Sequence, residues 1–189
     1  FILKRILEDV FIWPFILWGR FQARKTPLKE AYDIYFFFPF YHIGGAEKVH
    51  YLIAQTFKDS NALIFFTRKS KDQGFRQAFK ESGHKVVDLS ASTDNKWAYW
   101  NNLIMRGRVS GHINNQHKKP IVFNGQCNFA YKLSPWLDTE IPQIELIHSY
   151  SSFSWIRIPF ISFYKKTVMI SKVRIDDHLH QYNRLGVPE

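Results

Sequence analysis

The chain has 189 residues, enough for one domain with a substantial core, and its 46% hydrophobic and 17% aromatic content excludes a disordered protein. The 26 basic and 16 acidic residues give a net charge of +10, which favours an anionic partner: a membrane surface, a nucleic acid or a phosphate-bearing substrate. A single cysteine, Cys127, excludes an internal disulfide framework and a cysteine-based metal site, and favours a reducing, cytoplasmic setting.

Residues 1–25 have the pattern of an amphipathic helix with a kink expected at Pro14. Its longest charge-free run, residues 10–19, is too short to cross a bilayer, which takes about 20 residues. Packing on the domain is one interpretation of this helix, and an in-plane membrane anchor is the other. The apolar stripe is Leu3, Ile6, Leu7, Val10, Trp13, Leu17, Trp18 and Phe21. The expected membrane contacts are Trp13, Trp18, Arg20 and Arg24.

Residues 33–57 predict a strand, a glycine loop and a helix. The run from Ile34 to Phe38 is apolar on both faces, as in a parallel strand that is covered on both sides. Gly44-Gly45 follows, and from there the apolar residues take a helical spacing. Ligands bind where such loops leave the carboxyl ends of strands, and a helix N-terminus favours an anion. A simple tight turn is the alternative, because a glycine pair alone is a weak motif.

The same region argues against a nicotinamide dinucleotide. The G-x-G-x-x-G fingerprint is absent from the chain. The second predicted strand is followed by Thr67 and Arg68, and not by the acidic residue that would bind a ribose hydroxyl.

Strands and helices alternate along the rest of the chain. Further strands are predicted at residues 62–67, 85–89, 121–124, 143–147 and 167–170. Helices are predicted at residues 73–81, from 97 onward, at 128–137 and at 172–185. This alternation with short connections indicates an α/β fold: a Rossmann-like parallel sheet of about six strands with helices on both faces, preceded by the amphipathic helix.

Residues 149–166 combine aromatic and basic side chains. A buried aromatic helix is one interpretation, and a segment that touches lipid headgroups is the other. On the second interpretation, Trp155 and Arg157 are the expected contacts.

Two residues of the fifth predicted strand region have ionisable side chains. His148 follows the strand at the sheet edge where Gly44-Gly45 is also expected, so these residues would line one crevice. A structural role for this histidine is the alternative. Glu145 lies within an otherwise apolar strand, where an unpaired charge would be costly. Three explanations are open: a position at the end of the sheet, an ion pair with another side chain, or a place in the pocket.

The group Asp176, Asp177, His178 and His180 does not predict a metal site. Two histidines that are two residues apart on a helix point to different faces, so a solvated helix surface is the better interpretation.

Three stretches in order resemble glycosyltransferase family 4, whose members are retaining enzymes with the GT-B fold. The run His42 to Val49, HIGGAEKV, resembles the family's GGAE(R/K)V opening. Residues 143–149, QIELIHS, resemble the strand that ends in the family's active-site histidine. Residues 167–189 resemble the segment that closes the family's first domain, so the match spans about residues 33–189.

The resemblance implies a domain organisation and a site. Residues 31–189 would be the first, acceptor-side domain after an N-terminal helix and linker at 1–30, and the donor domain would be absent from the chain. His148 would be the catalytic residue, next to the donor sugar. Gly44 and Gly45 would lie beside the donor diphosphate, with Glu47 and Ser171 as neighbours. A nucleotide-sugar would be the co-substrate, with no tightly bound cofactor and no metal.

The expected function is therefore part of a retaining hexosyltransferase in cell-surface polysaccharide or glycolipid synthesis. It would act at the inner face of the cytoplasmic membrane on a glycan or lipid-linked acceptor. Its membrane or acceptor contacts would be Trp13, Trp18, Arg20, Arg24, Trp155 and Arg157. This piece alone is expected to be inactive, because the family's second domain carries most donor contacts.

The alternative is a non-catalytic membrane-surface module that binds an anion or a partner. Nucleic-acid binding is not expected, since no recognisable binding module is present.

Overall fold

The central feature of the computed structural model, which describes residues 8–150 and 154–187, is one sheet of six parallel strands. The strands are β1 (Ile34–Phe38), β2 (Ala62–Phe66), β3 (Lys85–Asp88), β4 (Ile121–Asn124), β5 (Gln143–Ile147) and β6 (Lys166–Met169). Their order in the sheet is β3-β2-β1-β4-β5-β6, which is the Rossmann order. The predicted fold class is confirmed.

Eight helices connect or flank the strands within the described residues. They are α1 (Trp13–Lys25), α2 (Gly45–Thr56), α3 (Arg76–Glu81), α4 (Ser90–Thr93), α5 (Tyr99–Asn114), α6 (Asn128–Leu133), α7 (Ser154–Arg157) and α8 (Lys172–Leu185). Residues 8–11 are also helical, and Ile12 separates them from α1, which has Pro14 in its first turn. The sequence predicted a kink at Pro14, and the structure instead interrupts the helix two residues earlier, at Ile12. Leu3, Ile6, Leu7 and the end of the third family-like segment, from Pro188, lie outside the described residues.

The core has two halves, one on each face of the sheet. Alternate side chains of β1 enter opposite halves: Tyr35 and Phe37 pack with α5 and α6, while Phe36 and Phe38 pack with α2 and α3. All five residues of β1 are buried, as the continuous apolar run predicted.

The helices differ from the predicted ones in several places, and α3 and α5 begin at Arg76 and Tyr99 instead of at residues 73 and 97. The short helix α4 was not predicted, and it follows β3 directly. The helix predicted at residues 128–137 ends at Leu133, where a 3₁₀ turn (Ser134–Trp136) begins with Pro135. A proline has no N–H to continue the α-helical hydrogen bonding, which explains the early end.

Helix α1 packs on α5 with the two backbones in contact. A Cβ on Gly107 would lie 2.7 Å from the Cα of Ile16, and a Cβ on Gly19 would overlap the carbonyl oxygen of Ile104. A Cβ on Gly111 would lie 2.9 Å from the Cβ of Ala23. One face of the N-terminal helix is thus packed on the folded domain, as the first of the two interpretations predicted.

The opposite side of the N-terminal helical region is apolar and exposed. This outer apolar face consists of Val10, Phe11, Trp13, Leu17, Trp18 and Phe21, which are 44–64% exposed. Within the described ranges no helix combines the length and apolarity that crossing a bilayer requires.

Candidate active site

The candidate site lies at the carboxyl edge of the sheet, where the strand order reverses between β1 and β4. In open α/β sheets this switch point forms the ligand crevice, because the connections from the two neighbouring strands leave toward opposite faces. The loop after β1 ends at Gly44, the N-cap of α2, and Gly45 is the first residue of that helix.

His148 follows β5 and contacts helix α2 through His50. The Nε2 atoms of the two rings are 2.7 Å apart. His50 is completely buried and stacks on the ring of Phe38, with 4.3 Å between ring centroids. His148 therefore lies against α2, and His50, five residues after Gly45, makes the contact.

Gln126, in the loop after β4, holds the backbone at His148. Its side-chain oxygen accepts hydrogen bonds from the backbone N–H groups of His148 (2.9 Å) and Ser149 (3.1 Å), and its amide nitrogen donates to the Ser149 carbonyl (2.7 Å). Gln126 adopts a left-handed backbone conformation with φ of 57°. Such conformations cost free energy in residues other than glycine and concentrate at functional sites.

Burial favours the uncharged form of both histidines. Burial lowers the pKa of His148. Burial, followed by the proximity of His148, lowers the pKa of His50 well below its ordinary value. The two rings therefore form a hydrogen bond between neutral imidazoles.

Glu47 occupies the space beside Gly44. A Cβ on Gly44 would collide with the carboxylate of Glu47, which is 6% exposed and lies 3.6 Å from Nε2 of His42. This negative charge in the first turn already complements the positive end of α2. The carboxylate of Glu47 thus fills the space beside Gly44, whereas a Cβ on Gly45 would meet nothing within 4 Å. The unobstructed backbone position at this end of α2 is Gly45.

Ser171 lies away from this crevice. It is the N-cap of α8, and its hydroxyl accepts a hydrogen bond from the backbone N–H of Arg174 at 3.4 Å. It follows β6, which is three places from β1 in the sheet, about 14 Å at the usual strand spacing. The structure does not bring Ser171 together with Gly44 and Gly45.

Arg157 is buried, and this corrects the expectation that it contacts a membrane or an acceptor. It is 1% exposed, and its guanidinium donates to both carboxylate oxygens of Glu145 and to the hydroxyl of Tyr182. Thr167 donates a further hydrogen bond to Glu145 at 2.6 Å. The charge within the apolar strand β5 is therefore paired, which was one of the three possibilities for Glu145.

Of the other expected surface contacts, two side chains contact Trp136 and three are exposed without being described in such a contact. Arg20 donates to the carbonyl of Trp136 at 2.8 Å, and Trp13 packs edge-on against the Trp136 ring. Trp18, Arg24 and Trp155 are exposed.

A cleft of about 460 Å³ lies at the same carboxyl edge, on the α5 side of the sheet. Its walls include residues that follow β2, β3, β4 and β5 and residues of the N-terminal helix. The aromatic side chains are Tyr99, Phe129, Trp136 and Phe160, and the polar ones include Arg68, Asp94, Lys96, Asn102 and Asn128. We name this the edge cleft.

A largely buried ionic cluster is part of the lining of the edge cleft. The carboxylate of Glu8 accepts hydrogen bonds from Arg106, from Lys132 (3.1 and 3.2 Å) and from the Tyr99 hydroxyl (2.8 Å). Burial alone would raise the pKa of Glu8, but the charges of Arg106 and Lys132 outweigh burial and lower it from 4.5 to about 2. The cluster fixes the start of the N-terminal helix to α5 and α6.

Among the described residues, no group of three or more His, Cys, Asp and Glu side chains is arranged to hold an ion. In the segment 176–180, His178 is fully buried and His180 is exposed, so the two point in different directions, as predicted. The prediction of a solvated helix surface is wrong for His178.

Comparison of the chain with protein-family models, with curated proteins and with solved structures gives no match. The resemblance to glycosyltransferase family 4 therefore rests on its three motifs.

Sequence reasoning did not identify His50 or the edge cleft. His50 does carry a signal, because it lies at helical spacing between Glu47 and Ala54, the other buried residues of α2. A polar residue within a buried stripe needs a partner. The edge cleft has no comparable signal, since its walls come from segments far apart in the chain.

Proposed function

We propose that the chain is the acceptor-side domain of a retaining glycosyltransferase. The enzyme would transfer a sugar from a nucleotide-sugar donor to a hydroxyl group of a glycan or lipid-linked acceptor. The observation that carries the proposal is the meeting of His148 with the helix of the Gly44-Gly45 loop at the switch point of the sheet. The three family-like motifs supply the reaction class.

Each group at the crevice has a role in this reaction. The N-terminus of α2 at Gly45 offers backbone N–H groups and the positive end of the helix dipole to the departing diphosphate. Fixed dipoles of this kind stabilise charge that develops in a transition state. His148 would hold the donor sugar beside that group, because it follows β5 at the same sheet edge and contacts α2 through His50.

The edge cleft is the proposed acceptor site. Its volume of about 460 Å³ lies within the range of ligand pockets, and it opens at the same sheet edge as His148. Aromatic walls with amide, carboxylate and basic groups suit the apolar faces and hydroxyl groups of a sugar. The N-terminal helical region contributes Glu8 and Ile12 to the cleft wall and carries the outer apolar face on its other side. That arrangement favours a lipid-linked acceptor at the inner surface of the cytoplasmic membrane.

The test uses the full-length protein from the source cell with a set of nucleotide-sugars and a lipid extract of the same cell. We expect sugar transfer with retained anomeric configuration, observed by NMR of the product. His148→Ala should abolish it, and His180→Ala, an exposed histidine on α8, should not. Absence of transfer with every donor, or full activity of His148→Ala, would contradict the proposal. The 189-residue piece alone should transfer no sugar.

The outer apolar face supports a second candidate, a non-catalytic module that docks on a membrane surface. Its six exposed apolar side chains and the net charge of +10 suit an anionic bilayer. The two candidates differ in His148: a module would keep its biological function after His148→Ala, and a glycosyltransferase would lose it.

A further inference from the structure

We infer that His50 is a positioning residue that fixes His148 in a single tautomer, with its hydrogen on Nδ1. His148 then meets the donor as a hydrogen-bond donor through Nδ1–H and does not act as a base through Nε2. This inference rests on the proposed function and names how its central residue works.

The geometry allows one hydrogen between the two rings. At 2.7 Å between the Nε2 atoms, two N–H groups would collide and two lone pairs would repel each other. One ring must donate and the other must accept. Burial lowers the pKa of each histidine, which keeps both rings neutral and keeps this single-hydrogen arrangement at neutral pH.

The surroundings of His50 determine which ring donates. Its Nδ1 is buried and has no hydrogen-bond partner, and a buried N–H without an acceptor is the rarer situation in proteins. The hydrogen of His50 therefore belongs on Nε2, where it is donated to Nε2 of His148. His148 carries its own hydrogen on Nδ1.

Both rings are held in place for this contact. His50 is stacked nearly parallel on Phe38, with 16° between the ring planes. Gly125 lets the ring approach, because a Cβ there would lie 2.5 Å from Nε2 of His50 and 2.7 Å from the Phe38 ring. The backbone of His148 is fixed by Gln126. A second residue that orients a functional histidine by a hydrogen bond to its other nitrogen is a known physical device.

The test is ¹⁵N NMR of the histidine ring nitrogens in the ¹⁵N-histidine-labelled protein at pH 7.5. We expect His148 with a protonated Nδ1 and an unprotonated Nε2, and His50 with a protonated Nε2. A protonated Nε2 on His148 would overturn the inference, and this measurement needs no variant.

Two variants test the role of His50. His50→Phe removes the donor and keeps an aromatic ring, so His148 should move to a mixture rich in the Nε2–H form that isolated imidazole prefers. His50→Gln retains an N–H donor and should restore the Nδ1–H form. In the full-length enzyme, kcat/KM for transfer should fall about tenfold in His50→Phe, the loss expected for one hydrogen bond, and recover in His50→Gln.

The outcomes separate the two claims. An unchanged His148 tautomer in a folded His50→Phe protein overturns the inference, and so does a shifted tautomer with unchanged kcat/KM. If the native protein transfers no sugar, the proposed function fails, while the ring-nitrogen spectra still decide the tautomer.

Discussion

Glu145 and Arg157 are buried together, and each supplies the hydrogen bonds that the other needs. Removing one partner of a buried ion pair leaves an uncompensated charge, whereas replacing both with apolar residues removes the problem. We therefore expect Arg157→Leu to lower the free energy of unfolding by about 3–5 kcal/mol, measured by urea denaturation. The double variant Glu145→Leu/Arg157→Leu should recover much of that loss. Equal losses in the single and double variants would show that the pair is not the cause.

Glu8 gives the docked N-terminal helix a dependence on pH. Its pKa in the folded protein, about 2, is below its ordinary value of 4.5, despite burial, because of Arg106 and Lys132. Its stabilisation is therefore complete above pH 4.5 and is lost as the pH falls through about 2.

We expect the N-terminal helix to leave α5 in this acid range. Trp13 packs on Trp136, so the release should change the tryptophan fluorescence. Glu8→Gln should weaken docking at pH 7 and remove this part of the pH dependence. A fluorescence transition of equal size and midpoint in Glu8→Gln would contradict the role of Glu8.

At the scale of the elements, the contact between α1 and α5 depends on glycine. A larger side chain at Gly107 would meet the backbone of Ile16 directly, so the two helices could not keep their distance. Gly107→Leu should lower the free energy of unfolding by about 1–3 kcal/mol, as overpacking does, and expose α1 to proteases. The control is Gly45→Ala, where a Cβ meets nothing within 4 Å and stability should hold. Equal protease resistance of Gly107→Leu and the native protein would refute the close contact.

The strands were predictable because their signal is local. A parallel strand that is covered on both faces is apolar throughout, and β1, β4 and β5 have the predicted bounds. The docking of α1 was left open because its contact uses Gly19, Gly107 and Gly111, which add nothing to an apolar pattern. The positions of Gly45 and His148 at the ends of predicted strands could be read from the sequence. The partner of Arg157 could not be predicted, because Glu145 is twelve residues away and the pairing depends on the folded sheet.

At the scale of the whole molecule, the outer apolar face and the positive net charge predict binding to anionic membranes. The full-length protein should co-sediment with vesicles of phosphatidylglycerol and phosphatidylcholine, and less at high salt, because salt screens surface charge. Leu17→Ser/Trp18→Ser should weaken binding about tenfold or more, since two exposed apolar side chains are lost. Val173→Ser, on α8, removes an equally exposed apolar side chain elsewhere and should bind normally. An equal loss of vesicle binding in the Leu17→Ser/Trp18→Ser and Val173→Ser proteins would mean that the outer apolar face does not contact the membrane.

The central claim is that the switch-point edge of this chain is a ligand site for a nucleotide-sugar. Hydrogen exchange of the full-length protein, with and without saturating donor, tests it most directly because each amide reports on its own surroundings. We predict slower exchange at the amides of Gly45 and Ala46 and in the loop at His148, with little change around α8. Donor binding that protects other segments and leaves Gly45 and His148 unchanged would contradict the account.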